Sequence, residues 1–125
     1  MLVAALAVTA IAVPVAAQAP VPQALASLAK GSWTLRDRTT GASQRICIRS
    51  GREVIQLRHS QPGCRQVVVH DEPRRVTVHY TCEGNGYGRT TVRVEDSGLA
   101  QLRSQGVVNG APFSVDAEIR RAGDC

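Results

Sequence analysis

Four cysteines stand in this 125-residue chain, at positions 47, 64, 82 and 125, and no other feature narrows its fold as much. An even number of cysteines in one short exported domain reads as a disulfide framework. The competing use, a metal site, needs ligand spacing such as Cys-x-x-Cys or a Cys/His cluster, which the sequence lacks. Export is read from the first segment. Residues 1–17 carry no charge and run through Ala, Val, Leu and Ile, a stretch shorter than the roughly 20 residues of a membrane-spanning helix. Val15 and Ala17 supply the small residues that precede a signal-peptidase cut, so cleavage is expected before Gln18. No Lys or Arg precedes the apolar run, which leaves an uncleaved anchor as the other reading. The expected organisation is a signal peptide over 1–17, a linker over 18–31 and one disulfide-stapled β-domain over 32–125, placed in the periplasm or secreted, with no transmembrane span in the mature form.

Four cysteines allow three connectivities, and strand register chooses among them. Residues 64–70 and 75–82 are rich in β-branched side chains and flank the turn Asp71-Glu72-Pro73-Arg74. A hairpin centred on Pro73 puts Cys64 opposite Cys82, Gln66 opposite Tyr80 and Val68 opposite Val78. Facing Cα atoms lie about 4.5–5.5 Å apart, within bridging reach. The predicted bridges are therefore Cys64–Cys82 and Cys47–Cys125. The same register sends His70 and His79 to opposite faces. Asn109-Gly110 predicts a type I′ turn, which pairs Leu102 with Ala117, Ala100 with Ile119, Arg103 with Asp116, Gln101 with Glu118 and Gly106 with Phe113. Asp96-Ser97-Gly98 predicts a three-residue loop with Gly98 left-handed, pairing Val92 with Leu102 and Val94 with Ala100. Thr40-Gly41 predicts a turn that matches Trp33 with Ile48 and Leu35 with Ile46. Residues 52–58 fit a short helix lying over an open end of the sheet. The expected fold class is all-β with one short helix: a seven-strand antiparallel meander, curved into a half-barrel or a lipocalin-like barrel, with two disulfides.

Composition sets the chemistry. Hydrophobic residues make up 43%, too many for a disordered tail, while aromatics are 3%, so the core is small and aliphatic. With all cysteines in bridges there is no thiolate nucleophile. No serine sits in a Gly-x-Ser-x-Gly setting, and His59 stands alone after the helical segment. The reading assigns no catalytic residue, no metal and no cofactor, and expects no enzyme. Gly84-Asn85-Gly86-Tyr87-Gly88-Arg89 looks like a phosphate-cradling loop, but a strand follows it where a helix N-terminus is required. It reads as a hairpin turn with an exposed Tyr87. Glu83, Gly84, Asn85, Gly86, Tyr87 and Gly88 are thus the candidate protruding loop.

The net charge of +5 comes almost wholly from arginine, 14 Arg against the single Lys30. In the first hairpin Arg36 and Arg45 are expected as direct neighbours, with Arg38 and Arg49 on the same face and Asp37 on the other. Like charges opposed in a sheet are destabilising, and an anion between them relieves that, since guanidinium forks grip phosphate and carboxylate. Arg36, Arg38, Arg45 and Arg49 are the candidate anion-binding patch. The bland alternative is an internal ion pair to Asp124, brought close by the Cys47–Cys125 bridge. Expected partners are an envelope anion (lipid phosphate or acidic polymer) or an exported protein. Nucleic acid is not expected, because aromatics for base stacking are scarce. The chain is expected to be a monomer.

Gly31-Ser32-Trp33, Ile46-Cys47-Ile48, the two-cysteine hairpin and the final Cys125 together resemble a family of small exported bacterial proteins with four cysteines, catalogued as a domain of unknown function. Where those proteins carry a Thr-Pro-Glu-like helix start, this chain has Arg49-Ser50-Gly51-Arg52-Glu53. The resemblance implies an envelope location and a β-sheet fold, and no established activity. Three functions follow as expectations: a non-catalytic binding module for an anionic or small apolar ligand, an inhibitor of an exported enzyme, or a hydrolase with an unrecognised site. The apolar-ligand version needs an interior cavity lined by residues such as Ala100, Ala117 and Ser104.

Overall fold

The structure, a computed structural model, describes residues 8–12 and 20–125. The junction expected between Ala17 and Gln18 lies outside the described residues. Alternating side chains build seven strands: β1 (Gly31–Asp37), β2 (Ser43–Ile48), β3 (Arg65–Asp71), β4 (Arg75–Cys82), β5 (Gly86–Asp96), β6 (Leu99–Val108) and β7 (Ala111–Gly123). All pair antiparallel in one sheet of order β2-β1-β7-β6-β5-β4-β3. This is the cyclic order of a meander barrel, with β1 joined to β7, but it opens between β2 and β3. The sheet is open, not a closed lipocalin-like barrel.

That opening dictates the rest of the architecture. The chain leaves β2 at one edge and must enter β3 at the other, so residues 49–64 cross a face of the sheet. They make a 3-10 turn (Arg52–Val54) and bury Val54, Ile55 and His59. A short helix α1 (Gln23–Ala26) joins them, burying Ala24 and Leu25. Ala24, Leu25 and Leu28, within the stretch 18–31 expected as a linker, are therefore part of the core. Trp33, Leu35, Ile48, Val76, Val78, Tyr80, Val92, Leu102, Ala117 and Ile119 complete it. Ala100, Ala117 and Ser104, considered as a cavity lining, are buried at 3% exposure or less. Ser104 meets the Thr90 hydroxyl at 2.8 Å, and Thr90 donates to the Ile55 carbonyl of the crossing segment, so that space is filled.

Both predicted bridges are present. Cys64 and Cys82 have Cα atoms 4.4 Å apart, and Cys47 and Cys125 have them 5.8 Å apart. Two disulfides in so small a domain place it in an oxidising environment. The β6–β7 register matches every predicted pair, with Asn109 (φ 51°) and Gly110 (φ 77°) in the left-handed conformations that turn requires. Val92–Leu102 and Val94–Ala100 also pair as expected. Their turn differs: a register shift between Val94 and Asp96 shortens the loop to Ser97-Gly98, and Gly98 has no positive φ.

Two registers depart from expectation. In the first hairpin Trp33 faces Ile46 and Gly31 faces Ile48, a slide of two residues. The cause is Asp37, whose carboxylate accepts the amides of Thr39 (2.8 Å) and Thr40 (3.1 Å) and folds the turn around 38–41. In the β3–β4 hairpin the predicted pairs hold from Arg65 to Val68, but an extra residue, Val69, is inserted before His70. This bulge moves His70 from opposite Val76 to opposite Thr77, which is on the His79 side of β4. His70 and His79 therefore share a face.

Candidate anion-binding face

One face of the sheet carries the core and the crossing segment. The other is open and, along the central strands, mostly polar, because every second residue there is hydrophilic, while the edge strand β3 adds the exposed Val67 opposite His79. Along β5 the open-face positions are Tyr87, Arg89, Thr91 and Arg93, alternating with buried Gly88, Thr90, Val92 and Val94. On β4 they are Arg75, Thr77 and His79, on β6 Gln101, Arg103 and Gln105, and on β7 Ser114, Asp116 and Glu118.

Register sets these side chains against one another. Arg75 lies directly opposite Arg93, Arg103 opposite Thr91, and His79 opposite Arg89. Thr77 and Thr91 join hydroxyls at 2.9 Å in the floor between them. Arg38, beyond the end of β1, reaches across to Asp116 (2.9 Å) and to the Gln101 side-chain oxygen. The result is a trough of about 640 Å³ walled by Arg38, Arg75, Arg93 and Arg103. It continues along β5 into a second depression that adds Arg89 and Gln105.

The carboxylates do not balance this charge. Glu95 lies 3.7 Å from Arg93, and Asp116 is shared between Arg38 and Arg103, the latter at 3.8 Å. Among the described residues no carboxylate lies within 4.0 Å of Arg75 or Arg89. Five arginines thus meet two carboxylates along the trough.

The four arginines expected as a patch are only partly gathered: Arg36 and Arg38 line one small depression with Asp37 and Glu118, and Arg45 and Arg49 lie outside it. Arg36 faces Ser43 on one side and Glu118 on the other, while Arg45 faces Thr34. The two-residue slide set by Asp37 separates them. Arg49 lies past the end of β2, where its backbone N–H donates to Glu53 at 2.7 Å. Arg38 alone joins the trough. Asp124 does not reach these arginines; it pairs with Arg121 at 3.0 Å. The loop proposed over 83–88 is also smaller than expected. Only Glu83, Gly84 and Asn85 make the turn, because Gly86, Tyr87 and Gly88 already pair in β5. Asn85 is held by the Asn109 amide at 3.1 Å and by His59, so the turn is tethered at Asn85 while Glu83 and Gly84 stay exposed.

His59 is a structural histidine whose partners the sequence does not reveal. It is 1% exposed. Its Nε2 meets the carbonyl oxygens of Asn85 (2.9 Å) and Val107 (3.0 Å), so this nitrogen carries the hydrogen and Nδ1 accepts from the Tyr80 hydroxyl (2.8 Å). Burial pushes the Tyr80 phenol above its usual pKa, and the neighbouring Ser104 hydroxyl opposes that rise. This cluster pins the crossing segment to the sheet. Its only sequence trace is that His59 follows Ile55 and Leu57 at alternate positions. Among the described residues no three His, Cys, Asp or Glu side chains form a metal-ligand set. No family model, curated protein or solved structure matches the chain.

Proposed function

We propose that this chain is an exported, non-catalytic binding module that holds an anionic ligand on its open sheet face. The observation that carries this reading is Arg75 opposed to Arg93, with Arg89 and Arg103 alongside and too few carboxylates to neutralise them. Opposed like charges in a sheet cost a few tenths of a kcal/mol up to about 1 kcal/mol, so the arrangement sacrifices stability that a ligand anion restores. Magnitudes select the kind of anion. Hydrogen bonds to charged groups give about 1.5–3 kcal/mol each, so two arginines on one small ion gain roughly 3–6 kcal/mol. Lost rigid-body freedom of about 4–15 kcal/mol absorbs most of that. A polyanion that engages the whole trough is the ligand this surface can retain.

The test is calorimetric titration at low salt with polygalacturonate and with polyphosphate. Wild-type protein should bind, and affinity should fall steeply with salt, because exposed charges are screened within about 8 Å at physiological ionic strength. Arg75→Gln with Arg93→Gln should weaken binding while leaving the fold as stable or slightly more so. Arg36→Gln with Arg45→Gln should change binding little. Failure of both polymers to bind at low salt, or loss of binding only in the second variant, would overturn the reading.

A further inference from the structure

Building on that reading, we infer that the polyanion is an acidic glycan, with a sugar ring seated on Tyr87 and its acidic groups on the arginines beyond it. The chain has four aromatic rings outside the histidines, and three are committed to the core: Trp33 at 0%, Tyr80 at 2% and Phe113 at 8% exposure. Tyr87 is 53% exposed and sits on the open face of β5, in line with Arg89, Thr91 and Arg93. Alternate strand residues are about 6.8 Å apart, so a linear ligand running along β5 meets an aromatic ring, a cation, a hydroxyl and a second cation in turn.

Around Tyr87 there is a distinct depression walled by His79, Arg89 and Gln105 and floored by Gly106. Gly106 pairs with Gly88 on β5 and with Phe113 on β7, and a Cβ there would run into the Tyr87 carbonyl, so the strands approach closely at this point. The side chains of Gln105 and Ser114, which face each other, make no hydrogen bond among the described residues. An amide and a hydroxyl each offer a donor and an acceptor. Polyphosphate supplies acceptors only and has no apolar face for Tyr87. A sugar acid supplies hydroxyl donors, acceptor oxygens, an apolar ring face and a carboxylate suited to bidentate arginine. An anionic membrane would need several apolar side chains to enter it; the trough is lined by polar ones, and the exposed Val67 stands outside it on the edge strand β3.

The experiment compares oligogalacturonate, an uncharged galacto-oligosaccharide of equal length, polyphosphate of equal charge, and phosphatidylglycerol vesicles, all titrated at one low salt concentration. Oligogalacturonate should bind more tightly than any of the others. Tyr87→Ala should weaken it by roughly two- to tenfold, the value of one aromatic contact, and Tyr87→Phe should restore it. Polyphosphate binding should be indifferent to both changes. Equal affinity for the two equal-charge polymers, or an equal effect of Tyr87→Ala on both, would overturn the glycan assignment while leaving anion binding intact. Tighter binding to vesicles would point to a lipid surface and also overturn it. If neither polymer binds, the anion-binding reading itself fails.

Discussion

Replacing His59 with Phe removes the pin that holds the crossing segment on the core while keeping a ring of similar size in place. The ring's edge contacts with Tyr80 (centroids 5.1 Å apart) and Phe113 (5.7 Å) can survive the change. What is lost is one hydrogen bond from Tyr80 and one N–H shared by two carbonyls. Two bonds at about 1 kcal/mol each, plus about 1–3 kcal/mol for the Tyr80 hydroxyl left buried without its acceptor, give a loss of about 3–5 kcal/mol. Part of that returns if the Tyr80 hydroxyl turns to Ser104, which sets the expected value near 3 kcal/mol. For a domain of this size that lowers Tm by roughly 12–24 °C. Urea unfolding followed by far-UV circular dichroism should show the midpoint falling with little change in slope. Tyr80→Phe alone should cost less, and the double variant should cost less than the sum by about 1 kcal/mol, because both partners of one bond are then apolar. A His59→Phe protein within about 0.5 kcal/mol of wild type, or strictly additive variants, would refute the role given to this cluster.

Other outcomes follow from the same structure. Cys47–Cys125 spans 78 residues and Cys64–Cys82 spans 18, so loop-closure entropy predicts losses of about 4 and about 3 kcal/mol when each pair is changed to serine; thermal unfolding of the two double variants should rank them in that order, and the reverse ranking would contradict it. Glu53 experiences burial, which raises its pKa, but the amides of Arg49, Ser50 and Gly51 outweigh it and hold the carboxyl below its usual value. A depressed folded pKa gives stability that is present above the unfolded value, about 4.3, and is lost as pH falls through the folded value; the gap between wild type and Glu53→Gln should therefore close in acid. Tyr80, with its raised pKa, contributes stability below pH 10.0 that is lost as pH rises toward the folded value; Tyr80→Phe should lack that alkaline decline.

Local chemistry made much of this fold legible. Asn109-Gly110 admits one turn, and from it the β6–β7 ladder follows pair by pair. Cys64 and Cys82 are bridged because the hairpin between them is symmetric up to Val68. The misses have local causes too. Asp37 captures the Thr39 and Thr40 amides and slides the first hairpin by two residues, and the Val69 bulge leaves no mark in an unbroken run of valines. The core contributions of Leu25 and His59 depend on where the chain crosses the sheet, which no periodicity reports. The arginine face was hidden for a related reason. Arg75 meets Arg93 only if Cys82 pairs with Gly86, and a six-residue loop over 83–88 never brings those strands into register.

The claim that the open face of β4 to β7 is the ligand surface is tested most directly by NMR. Isotope-labelled protein is titrated with oligogalacturonate at low salt while the arginine Nε–Hε signals are followed. The largest shifts should fall on Arg75, Arg89, Arg93 and Arg103, with backbone shifts along residues 87–93 and none in the crossing segment. Shifts confined to Arg36, Arg45 and Arg49, or centred on residues 49–64, would contradict it.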